Sequence, residues 1–331
     1  MKKIAILGAG SWGTALALIL RKQNDVRLWG RRSEAVEAMR RVGENKNYLP
    51  GHGLEGVHLT SDLAEACEDA DFIVIAIPTR FLRTELEGIK KFIPANAVLV
   101  SVSKGMELGS FRFVTQIIEE IIPSSKPVVA LSGPSHAEEV ASGVPTAVVA
   151  ACTDLARAES VQKNFLSDSF RIYTNTDIIG VEAGGAAKNV IAIAAGISHG
   201  LGFGSNTLAA LMTRGMVEIA RFGRVLGAES KTFYGLAGMG DLITTCVSGF
   251  SRNRSVGEKL ASGMKWPEIE AGMTMVAEGV YSAKSIRAFA REKNIDMPIA
   301  EAVYQVIFEG RSAREVVLDL MRREPKDEGK N

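Results

Sequence analysis

The sequence is poor in the residues on which several common chemistries depend. Its three cysteines, Cys67, Cys152 and Cys246, stand far apart without a CxxC spacing. Neither a disulfide framework nor a thiolate zinc site is indicated, and a reducing, cytoplasmic setting is expected. The four histidines, His52, His58, His136 and His199, make no HExxH or other ligand spacing, so no metal is expected. No serine lies in a GxSxG, which leaves a nucleophile elbow without support. Charge of one sign is also missing: 39 Lys and Arg against 38 Asp and Glu give a formal net charge of +1. That balance offers no excess for nucleic acid or for a membrane surface, and a small-molecule partner is expected instead. No run reaches about 18 apolar residues without glycine or charge, so a membrane span is not expected. The opening MKKIAILGAGSWG is interrupted by Gly8, Gly10 and Gly13 and reads as mature structure rather than as a signal peptide.

What is present is an ordinary globular composition, 46% hydrophobic and 23% charged, over 331 residues, a length that suggests two domains. The segments KIAILG (3–8), VRLWG (26–30), FIVIAI (72–77), AVLVSV (97–102) and VVALSG (128–133) are continuous apolar runs, as strands buried on both faces should be. TAVVAA (146–151) and FRIYT (170–174) read as further strands, and helical patterns lie between the runs. The expected fold class is therefore α/β: a doubly wound, mainly parallel, Rossmann-type domain over 1–178. After it the strand signals stop. Residues 181–200, 205–227, 252–262, 278–292 and 299–321 carry helical patterns, so 179–331 is expected to be an all-helical domain, with a solvated tail from about 324. The crevice between the domains is the expected active-site position.

Gly8-Ala9-Gly10-Ser11-Trp12-Gly13 is a GxGxxG that follows a strand and opens a helix. One glycine serves the tight turn, one the approach of a pyrophosphate to the backbone, and one the close packing of the helix. By itself such a motif is equally a turn; the strand before and the helix after favour a dinucleotide. The second strand ends in Leu28-Trp29-Gly30-Arg31-Arg32, with no Asp or Glu where an NAD site usually places one. Arg31 and Arg32 offer donors to a 2′-phosphate, which favours NADPH over NADH; the alternative is a solvated arginine pair at a helix start.

Lys188 stands in the run VEAGGAAKNVIAIAAGI. On a helix its face holds Val181, Gly184, Gly185, Ile191, Ala192 and Ala195, where a solvated stripe would carry polar companions. Either the ammonium snorkels to water or it is buried with a task. Hydride transfer to a carbonyl needs one positioned acid, and Lys188 is the leading candidate. Three further segments suit an anionic substrate. Lys104, in Ser103-Lys104-Gly105, follows a strand end; Asp241, in GMGDLITTC, is placed to pair with Lys188; and Ser251-Arg252-Asn253-Arg254 opens a helix with a guanidinium beside backbone N–H groups. Each taken singly also reads as a solvated charge or a helix cap.

With these residues in hand, the chain resembles the bacterial NAD(P)-dependent glycerol-3-phosphate dehydrogenase family nearly end to end. The resemblance is carried by GAGSWGTALA, LWGRR, SKG, SGPSHAEEVASGVPTA, VEAGGAAKNVIAIAAGISHGLGFGSNT, GLAGMGDLITTC, SRNR, VAEGV and MPIAEAVYQV. It implies reversible reduction of dihydroxyacetone phosphate to sn-glycerol 3-phosphate with NADPH or NADH and without metal, supplying glycerophospholipid synthesis. It also implies Lys188 as general acid/base and Ser11, Trp12, Arg31, Arg32, Tyr48, Ala137, Val276 and Glu278 as cofactor contacts. Gly133, Ser135, Asp241, Ser251 and Asn253 become substrate-side positions, Lys104 and Arg252 lie near both ligands, and Thr245 helps orient the substrate. His136 gains no role. The alternatives are a reductase of the 6-phosphogluconate or 3-hydroxyacid type and a non-catalytic NADPH sensor. A homodimer is expected, although the Met- and Ala-rich LAALMTRGMVEIA reads equally as core or as a dimer face.

Overall fold

The structure, a computed structural model, describes residues 1–123, 127–325 and 327–328. Of the tail expected to be solvated, residues 326 and 329–331 lie outside the described residues, and Glu324 and Pro325 are exposed. The chain divides into two compact units, one of Met1–Ser103 with Val114–Ile178 and the other of Lys104–Phe113 with Ile179–Asn331. The short segment 104–113, read from sequence as part of the first domain, thus clusters with the second unit.

The first unit alternates strands and helices in chain order: β1 (Lys3–Leu7), α1 (Ser11–Leu20), β2 (Asp25–Trp29), α2 (Ser33–Val42), β3 (Glu44–Asn45), β4 (Leu49–Gly53), β5 (His58–Thr60), α3 (Leu63–Cys67), β6 (Phe72–Ile75), α4 (Thr79–Ile89), β7 (Val98–Ser101), α5 (Val114–Ile121), β8 (Val129–Ser132), α6 (Ala137–Ala141), β9 (Thr146–Ala151), α7 (Leu155–Phe165) and β10 (Phe170–Asn175). Eight strands form one sheet in the order β10-β9-β8-β7-β6-β1-β2-β5. Every pairing is parallel except β8 with β9. The apolar runs are explained by burial on both faces. Ile4 and Ile6 of β1 pack into one layer with residues of α1, α2, α6 and α7, whereas Ala5 and Leu7 pack into the other with α3, α4 and α5. All seven strands read from the apolar runs are present. The short β5 and the β3/β4 hairpin carry no such run and escaped that reading. Strand order reverses at β1, whose neighbours are β2 and β6, and α/β sheets bind ligands beyond the strand ends at such a switch point.

The second unit is helical: α8 (Ile178–Gly200), α9 (Ser205–Val225), α10 (Asp241–Val247), α11 (Arg252–Ala261), α12 (Trp266–Ala271), α13 (Glu278–Glu292), α14 (Pro298–Phe308) and α15 (Ala313–Met321). The pattern over 299–321 read as one helix; it is two, because the chain turns at Gly310, held at φ +68°. α10 and α12 are too short for a periodic signal and were not read. α8 is long and apolar enough by composition to cross a membrane, but 83% of its apolar window is buried within the protein; it is the central helix of this unit's core. The segment 208–220 divides along its length. Gly215, Met216, Glu218 and Ile219 are buried, while Leu208, Leu211 and Met212 are partly buried and Ala209 and Ala210 are exposed.

Candidate active site

In the first unit the glycine-rich turn joins β1 to α1. Gly8 sits at φ +126°, and a Cβ there would meet the Ala76 carbonyl oxygen at 2.5 Å. A Cβ on Gly13 would collide with the Gly8 carbonyl, whereas one on Gly10 would meet nothing within 4 Å. Two glycines are thus demanded by the protein's own packing, and the middle one faces open space. That space lies at the start of a ten-residue helix with no acidic residue in its first turn and no side-chain cap, so the backbone N–H groups of Ser11 and its neighbours suit a pyrophosphate. Trp12 follows, its ring 6.3 Å from that of Phe170. Asn45, buried in the β3/β4 hairpin, donates from Nδ2 to the Ala9 carbonyl (3.0 Å) and to Thr14 Oγ1 (2.8 Å). It pins the turn from outside, and Tyr48 closes the same hairpin through its N–H to Asn45 O (3.2 Å). Asn45 was not read from sequence, because only the hairpin brings it under the turn.

At the end of β2, Arg31 donates to Glu85 of α4, while Arg32 is exposed. Gly133 and Ser135 follow β8. Gly133 is held at φ +146° against Val148, and Ser135 Oγ donates to the Gly133 carbonyl (3.0 Å). Ala137 begins α6 and is buried.

In the second unit Lys188 is 6% exposed. Its ammonium donates to Asp241 Oδ1 and to Thr245 Oγ1 (2.7 Å), and its third N–H has no partner among the described residues. Asp241 Oδ2 accepts from Lys104 Nζ at 2.6 Å, so one buried carboxylate bridges two ammoniums. Thr245 donates onward to the Asp241 carbonyl (2.6 Å), which fixes its lone pair toward the lysine. Burial pushes the Lys188 ammonium down, to about 8; Asp241 pulls it back up and Lys104 opposes that pull. Burial pushes the Asp241 carboxyl up, yet Lys104 and Lys188 together hold it below the usual carboxylate range.

Local winding explains how the pair meets. Leu236–Gly240 forms a π-helical turn directly before Asp241, a distortion often found at functional sites. A Cβ on Gly184 would meet the Ala237 carbonyl oxygen at 2.8 Å. The room beside Lys188 at Gly184 is filled by the backbone that carries Asp241. The small residues admit the partner turn itself.

A second cluster starts one residue along the same helix. Asn253 Nδ2 donates to Asn189 Oδ1 and its Oδ1 accepts from the Gly279 N–H, both at 2.9 Å. This amide pair ties α8, α11 and the start of α13, where Glu278 stands. Arg252 Nη1 donates to the Val276 carbonyl (3.0 Å). Ser251 Oγ accepts from the Arg254 N–H (3.2 Å) as the cap of α11. Asn189, missed in the sequence reading, was signalled by its polarity in an apolar run. The structure thus brings Lys104, Lys188, Asp241 and Thr245 together, and Ser251, Arg252, Asn253, Val276 and Glu278 around the second cluster. Cys246, beside these residues, is no nucleophile: burial pushes its thiol up to about 12. Among the described residues no three His, Cys, Asp or Glu side chains form a metal-holding group.

The chain has known relatives. Residues 3–158 match the description of the NAD-dependent glycerol-3-phosphate dehydrogenase N-terminus, and residues 177–318 that of its C-terminus. The chain belongs to the NAD-dependent glycerol-3-phosphate dehydrogenase family. Among relatives of the family, a glycerol-3-phosphate dehydrogenase [NAD(P)+] of Citrifermentans bemidjiense is 49% identical over 99% of both chains. One of Lacticaseibacillus casei is 47% identical over 98% of this chain and 96% of its own. The crystal structure of glycerol-3-phosphate dehydrogenase from Coxiella burnetii superposes with a TM-score of 0.93 at 38% identity, covering 97% of this chain and 99% of that one. A ketopantoate reductase from Ralstonia eutropha shares the fold, with a TM-score of 0.62 at 15% identity.

Proposed function

We propose that this chain catalyses the reversible NAD(P)H-dependent reduction of dihydroxyacetone phosphate to sn-glycerol 3-phosphate, the step that supplies glycerophospholipid backbones. The observation that carries this reading is Lys188: a buried ammonium, its pKa lowered by burial to about 8, with two N–H groups held by protein and one left to meet a substrate oxygen. An acid for carbonyl reduction needs these properties, because proton transfer is most effective when the donor's pKa lies near the working pH.

In this reading the first unit holds the dinucleotide, at the open Gly10 face and the start of α1, with Arg31 and Arg32 favouring the 2′-phosphate of NADPH. The bound dinucleotide supplies the hydride. The proton step and the phosphate contact fall to the second unit. Lys188 donates its proton to the developing alkoxide and takes it back in the reverse direction. Asp241 keeps that ammonium charged and oriented, and Lys104 balances the carboxylate from its other oxygen. Arg252 and the first N–H groups of α11 take the phosphate, fixing the ketone by an interaction remote from the reacting carbon. The amide pair Asn189–Asn253 holds α11 against α8, so the phosphate site and the acid keep a constant spacing. A homodimer is supported by the partly exposed apolar first half of α9, and a cytoplasmic location by three buried free cysteines.

The test follows NADPH absorbance with the purified protein and dihydroxyacetone phosphate. Alongside it run succinic and tartronic semialdehyde with NADPH, and 6-phosphogluconate with NADP⁺. Turnover confined to dihydroxyacetone phosphate is expected. Faster turnover of any carboxylated substrate overturns the assignment.

A further inference from the structure

Two adjacent arginines follow β2, and the protein has already engaged one of them. Arg31 Nη1 donates to Glu85 Oε1, whereas Arg32 has no side-chain partner among the described residues. The two ends of the Arg31–Glu85 pair differ in setting: the Arg31 side chain is 66% exposed and that of Glu85 19%. The carboxylate is therefore the anchored member. It sits on α4 beside the buried face made by Thr79, Leu82, Leu86 and Ile89, and α4 follows β6, the strand on the other side of β1 from β2. An acid is missing at the end of β2 itself, where an NAD site usually carries one; the fold delivers one to Arg31 from a different element.

Resting on the coenzyme reading above, we propose that Glu85 is a specificity-determining residue, whose carboxylate competes with the 2′-phosphate of an NADP-type dinucleotide for Arg31. A 2′-phosphate that reaches Arg31 must displace Glu85 or share the guanidinium with it as a like charge, and either cost falls on NADPH alone. A 2′-hydroxyl meets neither cost and can donate to a carboxylate. Arg32 remains available to the phosphate throughout. The arginine pair thus favours NADPH, and Glu85 moderates that preference, so that a site without an acid at β2 retains use of NADH.

Calorimetric titration of the full-length protein with 2′,5′-ADP and with 5′-AMP isolates the effect, since the two ligands differ only in the 2′-phosphate. Glu85→Gln is expected to bind 2′,5′-ADP about twofold to fivefold more tightly, the scale of a partly exposed ion pair, with 5′-AMP unchanged. Glu85→Ser, which removes the carboxylate without supplying an amide, should show the same gain, and the gain should shrink as salt is raised. In an Arg31→Ala background, Glu85→Gln should bring no gain. Unchanged 2′,5′-ADP affinity in both Glu85 variants, or equal tightening of both ligands, overturns the proposal. The Arg31→Ala/Arg32→Ala variant separates the two levels. If it keeps the wild-type preference for 2′,5′-ADP, the coenzyme reading falls and this inference with it. If it loses that preference while the Glu85 variants change nothing, only the role of Glu85 is overturned.

Discussion

The two units build their sites from different materials. In the first, the surface proposed to face the dinucleotide is main chain: a turn whose glycines make room, and the start of a helix whose N-cap is a glycine. In the second it is side chain: two ammoniums on one carboxylate, almost wholly out of water. A backbone site needs no buried charge and costs little beyond its turn. A buried ion cluster is costly to desolvate and holds only if every member is present. The same contrast governs how each half should fail when altered.

The largest effect is expected where a single side chain carries chemistry. Lys188→Ala should lower turnover by about 10² to 10⁴, the usual contribution of a positioned acid, while a fluorescence titration finds NADPH affinity little changed. A parallel loss of NADPH binding would erase the division between the units. In the wild type, reduction needs the protonated lysine, so its rate should fall as pH rises through about 8, and the reverse oxidation should gain over the same window. A flat profile there would remove Lys188 from the proton step.

Asp241→Asn keeps the shape of the side chain but removes the carboxylate that bridges Lys104 and Lys188. Breaking a buried pair in this way costs about 3 to 5 kcal/mol, to be measured by urea denaturation. The Lys188 pKa should fall further, moving the decline of the reduction rate to lower pH. An unaltered unfolding midpoint would mean that the cluster is more solvated than its burial indicates.

Buried charge in the second unit also predicts a pH-dependent stability. Glu218 accepts the N–H groups of Ile299 (2.7 Å) and Ala300 (3.2 Å) at the start of α14, yet burial raises its pKa from 4.5 to about 7. A group whose folded pKa is raised contributes stability fully present below pH 4.5 and lost as pH rises through about 7. The loss is of order 3 kcal/mol. Glu218→Gln should flatten that dependence in denaturation curves taken across the window. Equal slopes in wild type and variant would place the titration elsewhere.

The smallest effect belongs to the backbone site. Gly10→Ala meets no protein atom, so thermal stability should hold while NADPH binding weakens about tenfold, as a methyl group intrudes where the pyrophosphate approaches the main chain. Gly13→Ala, which collides with the Gly8 carbonyl, should instead lower the melting temperature. If both variants behaved alike, the open face at Gly10 would lose its meaning.

The same division explains what could be read early. The apolar strands and the GxGxxG were legible because their causes are local: burial on both faces leaves continuous runs, and a turn at φ +126° asks for glycine. Asn45, Asn189 and Glu85 were not, because each acts through a partner distant in sequence that only the folded chain supplies. The helix boundary at Gly310 failed for a related reason: periodicity continued across a break that a single residue imposes. Gly184 shows the limit most clearly. Its smallness beside Lys188 could be read, but whether ligand or backbone filled the space could not.

By itself, the sequence determined that an α/β dinucleotide half precedes a helical half, and that one lysine in an apolar run needs a reason to be there. Only the tertiary structure decided what that reason is. Lys188 and Asp241 lie 53 residues apart, and no local pattern encodes the π-turn that seats one carboxylate between two ammoniums. Their mutual charge, in a setting stripped of water, is a property of the fold and of no segment within it.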